Sequence, residues 1–93
     1  MKIGLLRVSL FIPGASSLKD KRQVLHSMIS RLKNKFNIAL AEVEAQDLHQ
    51  RCELGIVSIN TSQQELQRTL DYVLTFIENN PDSQLMQVET EYL

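Results

Sequence analysis

The sequence predicts an α+β sandwich in which a four-stranded antiparallel sheet carries two helices on one face. Three observations lead there. Period-two alternation of apolar residues marks strands, apolar stripes at three- and four-residue spacing mark two helices, and the elements follow one another as β-α-β-β-α-β. Ninety-three residues, 43% of them hydrophobic and 23% charged, are enough for one core and no more. Residues 1–93 therefore read as a single domain.

The first strand runs from Lys2 to Ile12, with Gly4, Leu6, Val8, Leu10 and Ile12 on one parity and Arg7 and Ser9 on the other. Pro13-Gly14-Ala15-Ser16-Ser17 stops it, because proline lacks the amide hydrogen a ladder needs. Ser17 with Asp20 three residues later has the form of a capping box, so a helix starts near Leu18. Leu18, Val24, Leu25, Met28, Ile29, Leu32 and Phe36 give that helix its apolar stripe. A second strand spans Ile38 to Glu44, and either parity could face the core. After the polar stretch Ala45–Arg51 comes a third strand, Cys52 to Asn60. Thr61-Ser62 with Glu65 repeats the capping device, and Leu66, Leu70, Val73, Leu74 and Ile77 trace the second helix. That helix ends at Asn79-Asn80-Pro81-Asp82. In the last strand, Met86, Val88, Thr90 and Tyr92 alternate with Gln87, Glu89 and Glu91. Two interleaved βαβ halves in this order define the ferredoxin-like fold, whose sheet buries one face and leaves the other open.

The net charge of −1 hides a strong polarity. Residues 1–41 hold eight basic side chains against Asp20 alone, and residues 42–93 hold Arg51 and Arg68 against ten acids. The single cysteine, Cys52, excludes an internal disulfide and any C-x-x-C metal or redox site. No segment resembles a signal peptide or approaches the ~20 apolar residues of a membrane span, so a cytoplasmic protein without membrane partners is expected. With no Trp and five Phe and Tyr residues, the core should be mainly aliphatic.

Three stretches together resemble the YlxP-like family of small bacterial proteins, a domain of unknown function. They are M-K-I-G-L-L-R-V-S-L-F-I-P-G at the start, A-S-S-L-K-D-K-R at 15–22, and A-E-V-E-A-Q-D-L-H-Q-R at 41–51 followed by L-G-I-V. The resemblance covers the whole chain and implies a ferredoxin-like sandwich. It also implies a bacterial cytosolic setting, often encoded beside transcription-termination, translation-initiation and ribosome-maturation factors. No catalytic residues come with it.

The residues themselves offer two candidate surfaces. At the first helix start, Ser16, Lys19, Lys21 and Arg22 surround a terminus whose unpaired amides attract anions. At ~100° per residue, Lys19, Arg22, His26 and Lys33 lie within about 60° of one another, a basic ridge suited to phosphate. The plainer alternative is a capped helix with solvated cations. Yet cations in a first turn oppose the helix dipole, so helix stability does not explain Lys19 and Arg22. The second surface is the 46–51 connection, where Gln46, Asp47, His49 and Arg51 form either a binding surface or a polar turn tied by Asp47 and Arg51. One His beside one Asp, with no nucleophile, makes no acid–base site. Cys52 and His49 are offset by three, which at strand spacing points them to opposite faces. The acids are scattered, although Glu42 and Glu44, and Glu89 and Glu91, should share strand faces. No metal or cofactor site is indicated.

Of the functions this permits, an RNA- or ribosome-associated factor fits the basic ridge. The aromatic pair of an RRM and the GxxG loop of a KH domain are both absent, so recognition would rest on phosphate contacts. A homodimer or other protein-interaction module using the open sheet face is the alternative. An acylphosphatase-like enzyme would need an Arg in the loop after Pro13-Gly14, and none is there.

Overall fold

The computed structural model describes all 93 residues. Its elements are β1 (Lys2–Phe11), α1 (Leu18–Lys35), β2 (Ala39–Glu44), β3 (Arg51–Asn60), α2 (Gln63–Glu78) and β4 (Gln84–Tyr92). The strands form one antiparallel sheet in the order β2-β3-β1-β4. This is the ferredoxin-like arrangement that the alternation and stripes predict. The two central strands are each ten residues long and pair along their whole length, Lys2 opposite Asn60 through Phe11 opposite Arg51.

Both helices lie on the face to which Leu6, Val8, Leu10, Leu54 and Ile56 point, and they complete the core with Leu25, Met28, Leu32, Leu66, Leu70, Val73 and Ile77. No aromatic ring is fully buried, so the core is aliphatic as expected. The caps form as read. The Ser17 Oγ accepts the Asp20 amide at 3.1 Å, and the Ser62 Oγ accepts the Glu65 amide at 3.3 Å. No helix is long and apolar enough to cross a membrane.

The edge strands depart from strict alternation, each through one bulge. In β2, Glu42 lies opposite Leu54 and Glu44 opposite Glu53, so Val43 is an extra residue. The register settles the open parity: Leu40, opposite Ile56, and Glu42, opposite Leu54, face the helices, whereas Ala39 and Ala41 face outward. It also corrects the expectation that Glu42 and Glu44 share a face, since Glu44 is turned to the open side. In β4, Leu85 pairs opposite Leu10 and Gln87 opposite Ser9, which leaves Met86 over. Leu85 and Val88 therefore cover the core, and Met86, which the alternation puts in step with Val88, is 56% exposed.

Candidate nucleic-acid interface

The first helix is anchored by its apolar stripe, and that anchoring decides which cations reach solvent. Lys19, Arg22, His26 and Lys33 are all exposed, forming the ridge that the helical wheel predicts. Of the ten Lys and Arg side chains, only Arg7, Lys21 and Arg68 are ion-paired. Five of the remaining seven, Lys19, Arg22, Arg31, Lys33 and Lys35, project from α1. Between the two cationic margins of the helix, the outward crest is Gln23, Ser27, Ser30 and Asn34, all exposed and uncharged.

Lys21 does not belong to this surface. It is 1% exposed, and its ammonium lies 2.6 Å from Glu42 Oε2 while donating to the carbonyls of Ala45 and Leu48, each at 2.7 Å. The physical reason is its place on the wheel. Lys21 precedes Leu25 by four residues and Met28 by seven, so it sits within the apolar stripe. Two carbonyls take hydrogen bonds from the ammonium, and Glu42 supplies the countercharge at contact distance. Glu42 is brought to that point by its register opposite the buried Leu54, which puts it on the helix side.

Ser16 is also occupied. Its amide and hydroxyl both donate to the Asp20 carboxylate, at 3.0 and 2.7 Å, so an internal anion already fills the position proposed for phosphate. These bonds hold the Asp20 carboxyl below its usual range, with a smaller contribution from Lys19. The exposed cations of α1 thus begin at Lys19, and Ser16 is not free to join them.

The 45–50 loop is exposed at Gln46, Asp47, Leu48, His49 and Gln50. Asp47 and Arg51 do not tie it together, because neither takes part in an ion pair. Lys21 does so from below, and Ala45 turns the chain in the left-handed region at φ 61°. Gln50 joins the loop to the end of β1, accepting from the Ile12 amide at 2.9 Å and donating to the Pro13 carbonyl at 3.3 Å. The loop residues converge on no reactive group.

Cys52 is buried at the end of the core, and burial pushes its thiol up to about 12, with Glu42 adding to the effect. A thiol held protonated is a poor nucleophile. Iodoacetamide is expected to leave Cys52 unmodified in the native protein at pH 8 and to alkylate it once urea unfolds the chain. Mass spectrometry of the two samples checks this.

The open sheet face carries its own charge cluster. Arg7 lies 2.7 Å from Glu53 and 3.0 Å from Glu44, and Ser9 donates to Glu53 at 2.9 Å. Arg7 and Ser9 together hold the Glu53 carboxyl below its ordinary range. Glu89 and Glu91 stand opposite Arg7 and Leu5 on the same face. This acidic surface does not suit a polyanion.

One feature of the helix layer lies outside the motifs the sequence offers. A groove of about 420 Å³ between α1 and α2 is lined by Arg31, Lys35, Phe36, Tyr72, Phe76 and Asn79, among others. The Phe36 and Phe76 rings meet edge to face, 6.3 Å apart at 82°. The Arg31 guanidinium lies 5.5 Å from the Phe76 ring centre, and the Lys35 ammonium lies 5.6 Å from Phe76 and 5.8 Å from Phe36. In sequence, the only sign of it is Tyr72 and Phe76, four apart on the outer side of the α2 stripe.

The fold and its surfaces define a small ferredoxin-like sandwich with a cationic helix. The chain belongs to DUF503, a family described as proteins of unknown function, whose profile matches residues 3–90. It is 36% identical over 90 residues to "Uncharacterized protein YlxP" of Bacillus subtilis (strain 168), covering 97% of this chain and 98% of that one. This bears out the resemblance carried by the segments 1–14, 15–22 and 41–51. Among solved structures, a de novo designed protein with a ferredoxin fold superposes at a TM-score of 0.59 with 15% identity, covering 98% of this chain and 88% of the other. SnoaB, a cofactor-independent oxygenase from Streptomyces nogalater, does so at 0.51 with 10% identity over 99% and 90%. At these identities the likeness is one of fold alone.

Proposed function

We propose that this protein is a non-catalytic RNA- or ribosome-associated factor that contacts phosphate through Lys19, Arg22, His26 and Lys33 of α1. The observation that carries the reading is the distribution of ion pairs. Arg7, Lys21 and Arg68 are matched by carboxylates, whereas all five exposed cations of α1 have none; outside that helix only Lys2 and Arg51 are likewise unpaired. The one acid in that helix, Asp20, is bound to Ser16. Lys33 and Lys35 lie in the last turn, where the helix dipole favours them; Lys19 and Arg22 lie in the first turns, where it does not. Their presence is accounted for by an external anion.

The test is ribosome co-sedimentation and oligo(U) binding by wild type and Lys19→Glu/Arg22→Glu across a salt series. Acids in the first turns suit the helix dipole, so the variant should keep its fold. Loss of two phosphate contacts should make the negative slope of log K against log salt shallower by about 1.4, at roughly 0.7 per contact on a single strand. An unchanged slope and affinity would overturn the reading.

The alternative partner is a second copy on the open sheet face. It is favoured by the adjacent apolar residues Ile3, Leu5, Val57 and Ile59, of which Val57 and Ile59 are exposed. A wild type that binds no RNA and elutes as a dimer would support that reading.

A further inference from the structure

We infer that the groove between α1 and α2 is a slot for one unpaired RNA base, with Tyr72 as its stacking platform, Phe76 as the apolar wall beside it, and Arg31 and Lys35, which lie over Phe76, as the clamp for the adjoining phosphate. The inference rests on the RNA reading above and gives it a base-contacting site that the basic ridge lacks. Three observations support it. The groove, at about 420 Å³, falls within the range of small-molecule pockets, roughly 300–1,000 Å³. Its lining combines aromatic rings with two cations free of carboxylate partners, and Asn79, at the α2 C-cap, adds an amide that can donate to and accept from a base edge. Tyr72 is 58% exposed, so a large ring is held at the surface with nothing packed over most of it.

The chemistry selects a nucleotide over simpler anions. A phosphate or an acidic peptide would use Arg31 and Lys35 but would leave the ring surface unused. An apolar side chain would use the rings and strand two cations. A base with its phosphate meets both demands, because every base offers a π-face and base–aromatic stacking is tolerant of sequence. The groove is also reached from the ridge. Arg31 and Lys35 lie across the Gln23, Ser27, Ser30 and Asn34 crest from Lys19, Arg22, His26 and Lys33. A strand held at the ridge crosses uncharged ground to the groove. The acids of α2 nearest in sequence, Asp71 and Glu78, are exposed and do not line it.

Photo-crosslinking with oligo(U) of roughly ten nucleotides, carrying one 5-iodouridine, tests the slot. Mass spectrometry should place the crosslink on Tyr72. Tyr72→Ala should lose it and weaken binding on the order of tenfold, with the salt slope unchanged. Tyr72→Phe should retain both, since the ring is kept. Lys19→Glu/Arg22→Glu should change the slope while residual complexes still crosslink in the groove. Crosslinks confined to the ridge, or inorganic polyphosphate displacing oligo(U) equally well from wild type and Tyr72→Ala, would overturn the slot and leave the phosphate reading standing. No binding by wild type at low salt would overturn both.

Discussion

Lys21→Met should destabilise the protein by about 3 kcal/mol, the lower end of what removing one partner of a buried ion pair costs. Methionine matches the lysine stem in length and would fill the same channel through the α1 stripe. What it removes is the ammonium that Glu42 Oε2, the Ala45 carbonyl and the Leu48 carbonyl share. All three acceptors would then face an apolar group. The Glu42 side chain is 23% exposed, so water can reach part of the orphaned carboxylate, which is why the lower figure applies. For a chain of this length the loss corresponds to a fall in Tm of at least roughly 12 °C. It should be accompanied by faster amide exchange across residues 45–50, because Lys21 is what fixes that loop to the helix layer. Pairing Lys21→Met with Glu42→Leu should recover part of the stability, since no unpaired charge remains. Urea denaturation of the two variants checks both statements. If Lys21→Met unfolds at the wild-type midpoint, the ammonium is not holding the loop.

The same residue shows where the sequence was legible and where it was not. The order of elements, both N-caps and nearly the whole core follow from period, capping and turn chemistry, which are local properties. Lys21 had a local sign as well, its coincidence with Leu25 and Met28 on one helix face. Its charge drew it instead into the basic cluster at 19–22. Its partner has no such sign, because Glu42 faces the helices by lying opposite Leu54, and that register depends on how two strands pair. Met86 falls out of step with Val88 for the same reason: the register of β4 on β1 decides which residue is the extra one. Ser16 illustrates a third limit. An Asp three residues after a Ser reads as a capping box, but the Asp20 carboxylate reaches one residue further back and fills the anion position itself. The groove was the least legible part, since Arg31, Phe36, Tyr72 and Phe76 are brought together only when the two helices dock side by side.

Gly4→Val should cost about 2 kcal/mol, and the loss should shrink when Leu70 is shortened. Gly4 is buried in β1 on the face covered by α2, opposite Ser58 and Tyr92. A Cβ there would lie 2.7 Å from Leu70 Cδ1 and 3.4 Å from both Leu66 methyls. Glycine is therefore required by the closeness of the helix to the strand. Leu66 and Leu70 are themselves buried, so neither can yield by swinging into solvent. Valine adds three carbons at that point, and overpacking of this kind costs about 1–3 kcal/mol. The better strand propensity of valine offsets up to about 1 kcal/mol of it. Leu70→Ala alone removes three carbons from the core and should cost about 2–5 kcal/mol through the cavity it leaves. In the double variant the valine grows into that cavity. The combined loss should therefore fall short of the sum of the two single losses by on the order of 1–2 kcal/mol, which urea midpoints at constant m resolve. Strict additivity would mean that the two side chains do not compete for one space. The strand-to-helix spacing would then be set elsewhere, by the Leu66 contacts that flank the same glycine.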